Sequence, residues 1–271
     1  MKPPLTEGPV TGARGRLRRP LAPARYFGLS LFSFLALLVL WSLLTYSGWV
    51  DPLFLPPPHD VLADGVRLFT QEGFLQDVAI TVQRVILGFL LAAAVGIPLG
   101  ILIGVSGVAD ALLEPLISFA RYMPASAFIP LLILWIGVGE GEKVAVIFLG
   151  SFFSLVLMVA VHVRGVGKEL LETAYTLGAS QGQVVGKIIL PAAFPPIFDT
   201  LRIVLGWAWT YIIVAELVAA QHGIGHVILQ SQRLLQTGSI LVGILTIGLI
   251  GLISDLSLRA LGQRLFSWRE G

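Results

Sequence analysis

Four charged side chains, Arg84, Arg121, Arg202 and Glu216, fall within or at the ends of strongly apolar runs. A charge at the centre of a bilayer costs about 2.5–3.5 kcal/mol even on the mildest scale, so such residues face a cavity, a partner charge or, along a long side chain, the headgroups. Arg121 and Arg202 either snorkel in this way or line a polar path, where they attract anions or pair with Glu216. Arg202 and Glu216 are fourteen residues apart, about 21 Å along one helix, so they cannot pair directly. Arg121 would have to reach Glu216 from a neighbouring span. Trp207, Trp209 and Tyr211 alternate in the same run as Glu216. At about 100° per residue they spread around a helix, and Trp207 and Tyr211 are expected on the side of the path.

Reactive constellations are missing. The chain has no cysteine, which excludes disulfides, thiolate zinc sites, iron–sulfur clusters and thiol catalysis. A phosphate-cradling loop ends in Gly-Lys-Ser/Thr, whereas Gly167-Lys168 is followed by Glu169 and Gly186-Lys187 by Ile188. His222 and His226 are four apart, but Gly223 and Gly225 between them favour a loop and no third ligand is adjacent, so no metal is expected. His59 and His162 are isolated, and Asp255 has no acidic partner in its span. No catalytic set follows, and no cofactor is expected on this chain.

The elements that carry these residues are membrane spans. Of 271 residues 56% are hydrophobic and 13% charged, with a mean hydropathy of +0.87; a soluble domain has about 25% charged residues. A net charge of +2 gives no sign of nucleic-acid binding. Runs of about 20 apolar residues, enough to cross roughly 30 Å of hydrocarbon, occur at Phe27–Tyr46, Val78–Val105, Pro115–Val138, Val144–Val161, Ile197–Ala220 and Ser239–Leu261. The first is too long for a signal-peptide core and is followed by no small-x-small site, so it is expected to stay. Six spans place both termini on one side. On that side lie Lys2, Arg14, Arg16, Arg18, Arg19, Arg25, Arg164, Lys168, Lys187, Arg259, Arg264 and Arg269; opposite are Arg67, Lys143 and Arg233. The positive-inside rule makes the twelve-residue side cytoplasmic.

The chain accordingly divides into a basic cytoplasmic arm (1–26), a first transmembrane helix (27–47), an external connection (48–76), a five-helix core (77–261) containing a cytoplasmic loop (164–191), and a cytoplasmic tail (262–271). Trp41, Trp49 and Trp268 suit interfacial anchoring. Gly96, Gly100 and Gly104 form a stripe that lets a neighbouring backbone approach. Pro98, Pro124 and Pro130 are expected to kink the second and third spans.

The inner loop is too polar to span. Leu170, Leu171, Ala174 and Leu177 share a helical face up to Gly178, and a second helical run, Gln181–Leu190, is expected to stop before Pro191. Two short helices at the membrane surface result, either as a projecting knob or as an interfacial pair without a partner. Glu172, Ala174, Gly178, Ile188, Leu190 and Pro191 match in spacing the EAA signature of permease subunits of bacterial ABC importers; Thr173 departs, standing where alanine is usual. The wider chain from Leu55 resembles the branch serving nitrate, taurine and alkanesulfonates, through Leu55-Pro-Pro-Pro58, Arg121-Tyr-Met-Pro124, Leu134-Trp-Ile-Gly137, Ala215-Glu216 and Gly223-Ile-Gly225.

That resemblance implies an all-α polytopic protein of the type I ABC importer permease architecture, in a bacterial inner membrane. It implies a second permease subunit, in a homodimer or as the other half of a heterodimer, an extracytoplasmic solute-binding protein, and separate ATPase subunits that hold ATP and Mg. Glu172, Thr173, Ala174, Leu177, Gly178, Ala179, Ser180, Ile188, Leu190 and Pro191 would form the ATPase-coupling element. Arg121, Arg202, Trp207, Tyr211 and Glu216 would belong to the translocation path of a small anion. The rivals are an ion-gradient-driven secondary transporter, which would show internal repeats, and a non-transporting membrane scaffold.

Overall fold

The structure is a computed structural model and describes residues 22–267; Trp268, Arg269 and the basic residues of the arm before Arg25 lie outside the described residues. Eleven α-helices and no strand occur among the described residues, in two units, Met1–Pro58 and His59–Gly271.

The first unit is built on α1 (Pro23–Tyr46), 24 residues long. Its apolar side chains are exposed all round, from Phe27 and Phe34 to Leu37 and Leu43, as a lipid-facing helix requires. Trp41 Nε1 donates to the Pro56 carbonyl at 3.1 Å, which gives its indole N–H a partner.

The second unit begins with α2 (Pro58–Gln71), a helix within the stretch read as a connection; it buries Val61 and Leu68 and exposes Leu62 and Val66. Its centre is a trio of long helices, α3 (Phe74–Val105), α6 (Glu140–Arg164) and α9 (Leu190–Ala219). α3 and α6 run parallel, because their close approaches advance in step: Gly88 on Ile147, Gly96 on Leu155, Gly100 on Val159, Gly104 on Val163. A Cβ on Gly100 would lie 2.6 Å from the Val156 carbonyl oxygen. The glycine stripe is therefore a backbone packing seam, and it extends beyond the three expected positions to Gly88 and the buried Ala92. α9 is antiparallel to α6, with Thr200 bonded to His162 at 2.7 Å near one end and the Tyr211 ring against Gly150 nearer the other. Pro98 lies inside α3 without ending it.

The expected third span is broken. In its place stand α4 (Gly107–Arg121), a 3-10 turn (Ala125–Phe128) and α5 (Ile129–Ile136), with a bend of 86°. Ser106 caps α4 by accepting from the Ala109 N–H at 3.3 Å, so the span starts eight residues before Pro115. Pro124 lacks a donor and drives Met123 out of the helical region, which stops α4. Among the described residues five helices are long and apolar enough to cross a membrane, six if the bent pair counts as one span.

The expected stop before Pro191 is also corrected. α7 (Lys168–Thr176) and α8 (Gln181–Val184) are followed by a π-helical turn, Val185–Ile189, that runs straight into α9. The Leu190 N–H bonds to the Val185 carbonyl, five residues back. This wider turn relieves the clash a proline ring makes with the carbonyl four residues earlier, so the helix passes through Pro191. α10 (Ile224–Arg233) packs on α9 and on α11 (Thr237–Leu265).

Candidate functional site

Three polar assemblies occupy the second unit. The first is the loop after α6. Ala174, Val184 and Ile189 are buried with Val163 and Ala193, and Leu171, Ala179 and Ile188 pack around them. Gly178, at φ +83°, turns the chain between the helices, with the Ala179 N–H donating to the Ala174 carbonyl at 3.0 Å. A non-glycine residue strains this left-handed corner. Ser180 and Gln183 then form a reciprocal capping box that starts α8. Ala174, Ala179, Ile188 and Leu190 thus seat the loop on the bundle, whereas Glu172, Thr173, Gly178, Ser180 and Pro191 are exposed. Leu177 is 82% exposed, with Leu170 and Tyr175 half-exposed beside it. Thr173 donates its hydroxyl to the Glu169 carbonyl at 2.7 Å, so the unusual residue is satisfied within α7. At the C-terminal end of α6, where the loop begins, Arg164 pairs with Asp110 and, at 2.5 Å, with Glu114 of α4.

The second assembly lies near the N-terminal ends of α3 and α6. Glu216 is fully buried and is paired with Arg84, not with Arg121 or Arg202. Arg84 Nη1 donates to Glu216 at 2.7 Å and to the His222 carbonyl at 2.8 Å, while Nε and Nη2 make a two-pronged contact with Glu140 at 2.6 and 2.5 Å. Glu216 also accepts from the Thr81 hydroxyl and the Gly225 N–H, both at 2.8 Å. The Ile224 N–H donates to Thr81 at 2.9 Å and the Gly223 N–H to Asp77 at 2.6 Å. A buried carboxylate tolerates its desolvation only when so paired and hydrogen-bonded. The reading of the residues missed Arg84 as the partner; both being intramembrane charges was the available signal.

The third assembly flanks α9. Arg202 holds Asp255 of α11 through both carboxylate oxygens at 2.9 Å and borders a cavity of about 290 Å³ with Asp199, Arg259 and Gln263. Asp255, which has no acidic partner, thus has a basic one. A separate cavity of about 180 Å³ in the crook between α4 and α5 is lined by Arg121, Met123, Pro124, Ser126, Gly150, Ser154 and Tyr211. The Arg121 guanidinium lies over the Tyr122 ring, 5.2 Å from its centre. The structure therefore brings Arg121 and Tyr211 together and leaves Arg202 and Glu216 elsewhere. Trp207 is partly exposed on α9 and Trp209 is buried. Among the described residues no group of three His, Asp or Glu is placed to hold a metal.

Residues 96–267 match the family described as "Binding-protein-dependent transport system inner membrane component". The taurine transport system permease protein of Escherichia coli (strain K12) is 35% identical over 260 residues, covering 94% of each chain. The nitrate import permease protein of Leptolyngbya laminosa is 32% identical over 184 residues, 68% of this chain and 66% of that one. Among solved structures, an inward-facing conformation of the MetNI methionine ABC transporter overlaps with a TM-score of 0.58 at 20% identity, over 69% of this chain and 94% of that chain, which is a likeness of fold. With more than half of its length matched by one family and nearly all of it by a permease relative, the chain belongs to the binding-protein-dependent inner membrane components, the permease subunits of ABC importers.

Proposed function

We propose that two copies of this chain form the path by which a small anion, of the sulfonate, taurine or nitrate class, crosses the inner membrane. A solute-binding protein delivers the anion from outside, and ATP and Mg act on separate ATPase subunits. The observation that carries this reading is the loop of α7 and α8. It is fixed to the bundle by Ala174, Val184 and Ile189, and it turns outward a corner bearing Glu172, Leu177 and Gly178. A seated base with an exposed apolar tip suits docking into a groove of another protein better than lying passively on a membrane.

In this reading the termini and the loop are cytoplasmic, because twelve basic residues lie on their side and three on the other. Closure of the ATPase pair pulls on the corner at Gly178. The pull passes along α6, and along the helical run Gln181–Val218, which continues the loop directly into α9. Arg121, Trp207 and Tyr211 face the solute, with Arg202 and Glu216 holding the surrounding helices. The relatives' taurine and nitrate names support a small solute with an anionic, oxygen-bearing head.

Gly178→Asp tests the coupling. It strains the left-handed corner and adds a charge to the docking tip. We expect normal amounts in the membrane, loss of ATPase co-purification, and loss of labelled taurine or nitrate uptake. Normal uptake at normal abundance would remove the coupling role of this loop.

A further inference from the structure

The three arginines that lie within spans are treated differently. Arg84 is held by Glu216 and Glu140, and Arg202 by Asp255. Arg121 has no carboxylate within ion-pairing distance among the described residues; its polar contact is a long one, 3.4 Å, to the Tyr122 hydroxyl. Arg121 ends α4, far along the helix from the ion pairs at its start. Because α4 begins at Gly107, Arg121 is about 16 Å along the helix from Asp110 and about 10 Å from Glu114, the residues held by Arg164 at the loop end. It stands at the bend of the apolar pair α4 and α5, one of the segments apolar enough to enter a bilayer. A guanidinium without a carboxylate partner in an apolar segment calls for an anion or a water-filled space beside it.

The cavity beside Arg121 supplies the rest of a receptor. The hydroxyls of Ser126, Ser154 and Tyr211 line it, and none of the three makes a hydrogen bond within the described chain. They come from three separate elements, the 3-10 turn, α6 and α9. Gly150 fixes one wall: the Tyr211 ring occupies the place a side chain there would take. Apart from that long contact of Nη2 with Tyr122, the guanidinium keeps N–H donors that match the oxygens of an anion.

We propose that the crook between α4 and α5 is an anion subsite, in which Arg121, with Ser126, Ser154 and Tyr211, takes the oxygen-bearing head of the transported solute. The assignment rests on the transport reading given above and adds the residues that make it selective for anions. Arg202, neutralised by Asp255, and Arg84, neutralised twice, do not serve this role. The break in the helix places Arg121 at the turn, where it lines one cavity with residues of α6 and α9, instead of along an uninterrupted helix.

The test uses the full transporter, this chain with its ATPase and binding protein, in proteoliposomes supplied separately with labelled taurine and labelled nitrate. Arg121→Gln should lower uptake of the anion carried by at least about tenfold, the effect of losing a charge-assisted hydrogen bond. Arg121→Lys should recover part of the rate, with a higher half-saturating concentration. Ser154→Asp, which places a carboxylate in the cavity and neutralises Arg121 in place, should reproduce the loss with the arginine still present, and covers the case in which Arg121→Gln fails to insert. If the wild-type complex carries neither anion, the transport reading itself falls and the subsite with it. If the wild type carries one and both Arg121→Gln and Ser154→Asp stay within twofold at equal abundance, the subsite alone is overturned. If the defect of Arg121→Gln disappears in vesicles of phosphatidylcholine without phosphatidylglycerol, the arginine acts on anionic headgroups and not on the solute, which would likewise overturn it.

Discussion

The buried Arg84–Glu216 contact shows how much a single pairing carries in this chain. Glu216 accepts from Arg84, Thr81 and Gly225 at once, so its removal strands donors on α3 and in the first turn of α10. Glu216→Ala should destabilise the protein by about 3–5 kcal/mol, the cost of leaving a buried charge half-paired. A lowered unfolding temperature in detergent and reduced membrane abundance would report it. Replacing both partners, Arg84→Met with Glu216→Leu, should recover part of that loss, because two apolar groups need no partners. A double variant as unstable as the sum of the single ones would show that the pair is not the source of the effect. Gly223 belongs to the same unit: at φ +115° its Cβ would fall 2.6 Å from the Glu216 carboxyl carbon, so any side chain there both strains the turn and displaces the carboxylate.

Among the helices, the seam between α3 and α6 decides how tightly the core closes. Gly88, Ala92, Gly96, Gly100 and Gly104 recur every four residues and face Ile147, Leu155, Val159 and Val163 of α6. Small residues at this spacing let backbones approach, which is the main source of helix association where lipid removes the hydrophobic drive. Gly100→Val should push the helices apart and sharply reduce the amount of folded protein, seen as loss of a monodisperse peak after solubilisation. Gly206→Ala is the matched control. Nothing lies within 4 Å of a Cβ at that position of α9, and alanine is favoured over glycine in a helix by up to about 1 kcal/mol. It should be neutral or slightly stabilising. Equal damage from both substitutions would show that the seam has no special demand for glycine.

At the scale of the whole molecule, the charge asymmetry sets an orientation that can be measured directly, because a chain without cysteine is its own background for labelling. Ser180→Cys, on the exposed loop, should react with a membrane-impermeant maleimide in inside-out vesicles and not in intact spheroplasts. Gln221→Cys, after the far end of α9, should show the reverse. The opposite pattern would invert the topology and remove the loop from reach of an ATPase. Much of this molecule was legible in its residues. Apolar runs located the spans, lysines and arginines gave their expected sidedness, and the pattern from Glu172 to Pro191 gave the paired short helices and the glycine corner, since each is a property of neighbouring positions. The rest depended on residues distant in sequence or on which of two local outcomes the fold selects. Proline predicted disturbance at Pro98, Pro124, Pro130 and Pro191 alike, yet the chain breaks, by 86°, only between α4 and α5, at Pro124, with Pro130 in the first turn of α5; Pro98 is absorbed in a packed helix and Pro191 follows a π turn. The partners of Glu216 and Arg202 lie 132 and 53 positions away. The sequence by itself determined which segments are apolar enough to enter a membrane, because that depends on composition over about twenty residues. Only the tertiary structure decided which intramembrane charges neutralise one another and which one, Arg121, is left facing a cavity, because Coulomb pairing depends on distance in space.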